Sequence, residues 1–212
     1  MVDLPKLICV TGPDGSGKTT QIAKLAERLE RQAKLRVAPV TIWDLLLDPA
    51  SKDRVAFRET AQVDLYLEVL HPTSRILFLY HCFYQALELA KTRKPDVCLI
   101  NAYWYKYYAT EVAHGGNSKT LLRLAEIFPE PDVTFYLTVE PHEAFRRKAV
   151  LSGYETGFAD PRSKQAFVDF QRRAHLALHE LAEPRKWIHL NGTEPASAVT
   201  EMIFSRLERG GN

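Results

Sequence analysis

The stretch Gly12-Pro13-Asp14-Gly15-Ser16-Gly17-Lys18-Thr19 constrains this chain more than any other. Its spacing, G-x-x-x-x-G-K-[ST], is that of a loop that wraps a polyphosphate, and the pattern carries meaning only between a strand and a helix. Both flanks are present. The apolar run Leu7-Ile8-Cys9-Val10 reads as a buried strand, and Thr19–Gln32 carries Ile22, Leu25, Ala26 and Leu29 at helical spacing. Gly12, Gly15 and Gly17 let backbone N–H groups turn inward where side chains would block a phosphate. The helix N-terminus adds the positive end of its dipole. Lys18 is then placed to reach the outer phosphates, and the Thr19 hydroxyl to ligate Mg²⁺. The expectation is a nucleotide-binding protein.

The 212 residues suffice for one α/β domain with a sizeable core. A net charge of +2 offers no basic field for nucleic acid. The three cysteines, Cys9, Cys82 and Cys98, are odd in number and lack paired spacing, against disulfides or a zinc site. The opening Met-Val-Asp-Leu-Pro-Lys does not read as a signal peptide, and no apolar run approaches membrane-spanning length. The expected location is the cytoplasm, with no membrane partner.

Short apolar runs alternate with amphipathic stretches. Strands are expected at Leu7–Val10, Arg36–Ile42, Val97–Asn101, Val133–Val139 and Trp187–Leu190. These runs are apolar on both faces, as in a parallel sheet covered by helices. Helices are expected at Thr19–Gln32, Ser74–Lys91, Pro141–Leu151, Arg162–Ala182 and Pro195–Arg209. The alternation gives a three-layer α/β/α sandwich on a five-stranded parallel sheet, a P-loop NTPase fold, over residues 1–212. Ligands in such sheets sit beyond the carboxyl ends of the strands. The phosphate loop and the segments after Ile42 and Ile100 should therefore converge. Tyr103-Trp104-Tyr105-Lys106-Tyr107-Tyr108 begins just past the third strand, either as a helix packing rings into the core or as a wall for a planar base.

The segment Thr11–Gln21 is similar to E-G-x-D-G-x-G-K-[ST]-[ST]-Q, the loop of the thymidylate kinase family of nucleoside monophosphate kinases. Ile76-Leu77-Phe78 resembles the helix segment whose Phe stacks on thymine. Pro131–Pro141 resembles the family's P-D-L-T-F-Y-L-D-V-x-P strand and turn, and Ala144-Phe145-Arg146-Arg147 the helix leading into the lid, here about residues 150–162. The resemblance implies ATP and Mg²⁺ as cofactors and a nucleoside monophosphate, dTMP, as acceptor. It implies that Gly12, Gly15, Ser16, Gly17, Lys18, Thr19, Thr20, Arg147, Gly192 and Thr193 hold ATP, with Arg147 on the adenine and Asn191-Gly192-Thr193 under it. Asp14 would face the acceptor sugar, and Phe78 and Tyr103 its base. A homodimer through helices flanking the acceptor site is a further family expectation.

Departures cluster on the acceptor side. The family's Asp-Arg-Tyr after the third strand reads Asn101-Ala102-Tyr103, and an arginine four residues beyond Phe78 reads Cys82. The Pro-Arg-Glu segment after the second strand survives only as the misplaced Phe57-Arg58-Glu59. The lid arginines are absent from Ser152–Gly157, and the aspartate of the fourth strand is Thr138. Phosphoryl transfer depends on positioning and positive charge, so such losses matter. Lys106, among the aromatics, and Arg75, one turn before Phe78, are candidate replacements facing the acceptor phosphate. Arg146, Arg147 and Lys148 are candidates from the lid base. Three readings follow: a dTMP kinase, a kinase of this fold with a changed acceptor, and a nucleotide-binding protein without transfer. No N-K-x-D guanine signature supports a GTPase.

Overall fold

The computed structural model describes residues 6–48, 57, 59–160 and 162–209. Five strands, β1 (Leu7–Thr11), β2 (Val37–Val40), β3 (Val97–Asn101), β4 (Val133–Thr138) and β5 (Ile188–Asn191), form a parallel sheet in the order β2-β3-β1-β4-β5. Successive side chains of a strand point to opposite faces, and the sequence supplies apolar residues to both. Ile8 and Val10 face one side with Val97, Leu99, Phe135 and Leu137, and there meet helices α1 (Lys18–Gln32) and α9 (Ala196–Arg209) through Leu25, Leu29, Ile203 and Leu207. Cys9, Val40, Ile100 and Tyr136 face the other side. That face carries α3 (Thr60–Val69), α4 (Pro72–Thr92), α5 (Tyr103–Ala113), α6 (Ser118–Ala125) and α8 (Lys164–Arg185). Short helices α2 (Asp44–Leu47) and α7 (Pro141–Arg147) follow β2 and β4. The three-layer α/β/α sandwich expected from the alternation is the fold observed.

Register sets the level of the strand ends. Val10 lies opposite Asn101, and Thr11 opposite Tyr136, so the chain leaves β1, β3 and β4 at one rim. The turn after β3 is tight. Ala102 takes φ 72°, ψ −38° and Tyr103 φ 60°, a left-handed pair without glycine. The Ala102 N–H donates to Val10 O at 2.9 Å, and its carbonyl accepts from the Thr11 hydroxyl at 2.9 Å. Both bonds reach the strand that carries the phosphate loop, which over-determines the turn.

Several expectations are corrected. Trp187 lies outside β5, its ring 4.4 Å from that of Tyr105. β2 is confined to Val37–Val40, and α7 stops at Arg147, four residues short of Leu151. Helices α3 and α6 had no sequence expectation at all. The aromatic hexapeptide is helical and largely buried: Tyr103 and Tyr105 are 0% exposed, and Tyr103 packs edge-on to Phe83 and Phe128. Truncating Phe83, also 0% exposed, would empty the centre of this cluster. Phe83→Ala is expected to cost about 3–5 kcal/mol, read from the midpoint of urea unfolding at constant slope.

Candidate functional site

A cavity of about 770 Å³ opens at the rim of the sheet. Its floor is the loop Asp14–Lys18 and the first turn of α1, with Thr19 and Thr20; Thr41-Ile42-Trp43 close one side, and Asn101 and Ala102 another. The three strand-end segments therefore converge as expected. Loop geometry depends on two close approaches. A side chain at Gly12 (φ +149°) would meet Leu137 O at 2.4 Å, and one at Gly192 would meet Ser16 O at 3.0 Å. The second contact seats the segment after β5 against the phosphate loop. Gly12 packs behind the loop, and neither it nor Thr193 lines the cavity; the Thr193 hydroxyl donates to Asn191 Oδ1 at 2.6 Å.

The charged groups of the cavity are engaged with one another. Lys18 donates to Pro13 O at 2.6 Å, a contact within its own loop. Its ammonium is held down to about 8, chiefly by burial, with the neighbouring cations Lys106 and Lys148 acting in the same direction. Asp14 pairs with Lys106 at 2.7 Å. Burial opposes ionisation of Asp14, but Lys106, Lys18 and Lys148 outweigh it and hold the carboxyl far below the usual range. Lys106 is correspondingly raised by Asp14 despite burial. Lys148 pairs with Glu155 at 2.6 Å. The Asn101 amide donates to the Thr19 hydroxyl at 3.2 Å, and Ser16 Oγ is buried without a hydrogen-bond partner. Arg147, at the far rim, donates to Gly192 O at 2.7 Å and pairs with Glu143 at 2.9 Å.

A second cavity of about 340 Å³ adjoins the first. Helix α3 supplies Thr60, Asp64 and Leu67; the segment Val150–Ser152 and the 3₁₀ turn Gly153–Thr156 supply the opposite wall through Tyr154 and Glu155. Trp43, Lys106, Tyr107 and Lys148 line both cavities and mark their junction.

Several candidate residues lie elsewhere. Arg75 is buried, and its Nε donates to both Glu111 carboxylate oxygens at 2.7 and 3.0 Å; it lines neither cavity. Phe78 packs edge-on against Phe57 and Tyr66, at 5.8 and 5.4 Å between centroids, and Cys82 packs against the core beneath. Tyr103 donates its hydroxyl to Pro129 O at 2.6 Å from within the core and lines neither of these two cavities. Arg58 lies outside the described residues. Sequence reading missed Thr60 and Asp64, held Tyr107 only within the aromatic stretch that could wall a base, and held Tyr154 and Glu155 only within the lid segment. The first two ride on a helix with weak amphipathic patterning, whereas Trp43 stood next to a segment already expected at the rim.

Pairing sets a pH dependence. In Lys106→Met the buried Asp14 loses its nearest cation, so the variant should be less stable than the parent at pH 7. The deficit should shrink below about pH 4, where Asp14 protonates in the unfolded chain and in the unpaired variant. Chemical unfolding at both pH values checks this, and an equal deficit would show that the pair contributes nothing.

A model of the thymidylate kinase family matches residues 10–203. The chain is 29% identical over 227 residues to "Thymidylate kinase" of Chlorobium chlorochromatii, covering 95% of this chain and 94% of the relative. It is 29% identical over 225 residues to "Thymidylate kinase" of Deinococcus radiodurans, covering 96% and 97%. Against "Probable thymidylate kinase" of Pyrococcus abyssi the identity is 28% over 208 residues, covering 93% of each.

Proposed function

The chain belongs to the thymidylate kinase family and is accordingly an ATP-dependent phosphotransferase of thymidylate kinase-like function; from that premise we propose that it moves the ATP γ-phosphoryl group onto the phosphate of dTMP, or of a closely related nucleoside monophosphate, seated in the smaller cavity. The observation that carries this reading is the junction. Lys106 and Lys148 stand between a phosphate-loop cavity and a second, nucleotide-sized one, where a transferring group would lie.

ATP occupies the larger cavity in this reading. Loop N–H groups from Gly15 to Thr19 surround its phosphates, and the orphaned Ser16 hydroxyl gains an acceptor. Lys18 exchanges Pro13 O for the outer phosphates. Arg147 and Gly192 border the adenine. An acceptor phosphate oxygen attacks the γ-phosphorus; the new P–O bond forms as the bond to the β-phosphate oxygen breaks, and ADP leaves. Lys106 turns from Asp14 to the phosphates, which frees Asp14 to accept a hydrogen bond from the acceptor sugar. The donor set for Mg²⁺ is neutral: the Thr19 hydroxyl and the Asn101 amide. Among the described residues no cluster of three or more acidic, histidine or cysteine side chains could hold a metal. Such a set fits an ion that arrives with the polyphosphate rather than a resident one. Thr19 and Asn101 would hold it, and its chemistry is neutralisation of phosphate charge.

One observation favours a changed acceptor over dTMP itself. The Phe78 ring already meets Phe57 and Tyr66 and lies outside both cavities. Trp43, Tyr107 and Tyr154 are the aromatic residues that line the smaller cavity and that a base would meet instead. Exposed Leu65 and Val69 on α3 and Leu77 and Tyr84 on α4 support a homodimer, which light scattering tests. Three free cysteines suit a reducing cytoplasm, and no helix among the described residues is long and apolar enough to cross a membrane.

Transfer from Mg-ATP to dTMP should be abolished in Lys18→Ala; ATP binding with no turnover on any nucleoside monophosphate would overturn the reading. Lys106→Ala is expected to lower kcat by about 10²-fold or more while ATP affinity stays nearly constant. ATP affinity should fall as pH rises through about 8, where Lys18 loses its charge in the free protein, and titration calorimetry across that range checks the sign.

A further inference from the structure

The second cavity has two walls, and one buried node holds both. Arg75, with 4% of its side chain exposed, pairs with Glu111, with 0% exposed. The guanidinium also donates from one terminal nitrogen to Leu67 O and Leu70 O, each at 3.1 Å, at the C-terminal end of α3. That fixes the helix carrying Thr60 and Asp64. Glu111 Oε1 accepts a second bond, from the Tyr154 hydroxyl at 2.9 Å. Tyr154 belongs to the 3₁₀ turn that forms the opposite wall.

The turn is prepared for this grip. Ser152 and Glu155 form a capping box around it, and Gly157 ends it at φ +71°. The His114 ring stacks on Tyr154 and Phe158, with centroids 5.2 and 4.7 Å away. Burial and the nearby Arg75 hold that imidazole down to about 4, so it stays a neutral packing surface. The Arg75 guanidinium lies over Phe158, 4.8 Å from its centroid. A second tie runs to the phosphate loop. Gln171, 2% exposed, donates to Glu155 O at 3.1 Å and accepts from the Asp14 N–H at 3.4 Å.

Resting on the reading of the smaller cavity as the acceptor site, we propose that Tyr154 is a positioning residue: through Glu111 and Arg75 it latches the turn at a fixed distance from α3, so that the acceptor cavity and the Lys148–Glu155 pair at its mouth are set before any ligand binds. A buried carboxylate gripped by arginine keeps lone pairs to satisfy, and it is more demanding of a partner than an exposed one. The tyrosine hydroxyl meets that demand only with the turn docked. The latch bonds themselves, Tyr154 to Glu111 and Glu111 to Arg75, involve no residue of the loop Asp14–Lys18.

Tyr154→Phe removes one oxygen, keeps the ring on His114, and leaves Arg75 paired. Amide exchange of residues 152–157 in the ligand-free variant is expected to quicken about 10-fold, since a hydrogen bond to a charged group is at stake. Acceptor KM should rise by about the same factor while ATP affinity changes less than about 2-fold. Unchanged exchange in the turn, or faster exchange throughout the chain with a matching loss of ATP affinity, would overturn the proposal; the second result would mark a merely structural role. The double variant Arg75→Met with Glu111→Gln removes the buried charges together and should reproduce the local exchange. Because exchange is read without ligands, it decides the latch even if the parent protein fails to phosphorylate dTMP, a result that would instead overturn the acceptor assignment.

Discussion

The registry of three adjacent strands governs everything at the rim. β1 lies between β3 and β4, and parallel pairing brings Val10 level with Asn101 and Thr11 level with Tyr136. Parallel strands present their carboxyl ends together only because each crossover carries the chain back to the opposite end of the sheet before the next strand begins. A one-residue slip of β3 would exchange its buried faces and carry Asn101 away from Thr19. The contact between those two side chains, 3.2 Å across 82 residues of sequence, is thus a product of sheet register. The positive-φ turn at Ala102 and Tyr103 serves the same registry, since both of its cross-strand bonds end on β1.

Electrostatics in the site follow from desolvation. Lys18, Lys106 and Lys148 share a small volume with Asp14 and Glu155, and each lysine has an internal partner: Pro13 O, Asp14 and Glu155 respectively. Isolated, such charges would be costly to bury; arranged as alternating pairs they tolerate low solvation. The effect is uneven. Lys106, next to a full carboxylate, is held protonated, while Lys18, facing a carbonyl, has its ammonium weakened. A loop that matches the family pattern from Gly12 to Gln21 therefore carries a more titratable lysine than the pattern alone implies.

The sheet was legible from sequence because its strands are apolar on both faces and its helices are punctuated by proline and glycine. The phosphate loop was legible because few other structures need its glycine spacing. Legibility failed where long-range packing decides. Nothing local in Arg75 tells whether it faces solvent, a phosphate or Glu111, thirty-six positions away. Phe78 sits where the resemblance puts the family's stacking ring, yet Phe57 and Tyr66 close on it from segments that sequence patterning did not fold. Lys106 was visible as a cation among aromatics, but its partner Asp14 lies across the sheet rim and belongs to another motif.

Because the resting cations are already spoken for, a ligand must outcompete internal partners before it gains anything from the site. Its apparent affinity is lowered by the share of molecules in which those contacts hold. A singly charged anion exchanges one contact for another of similar strength. A molecule bearing several phosphates replaces several contacts at once and also collects the loop's N–H groups. The internal pairing of Lys18, Lys106 and Lys148 thereby acts as a threshold on charge number, sorting polyphosphates from the smaller anions that crowd any cell.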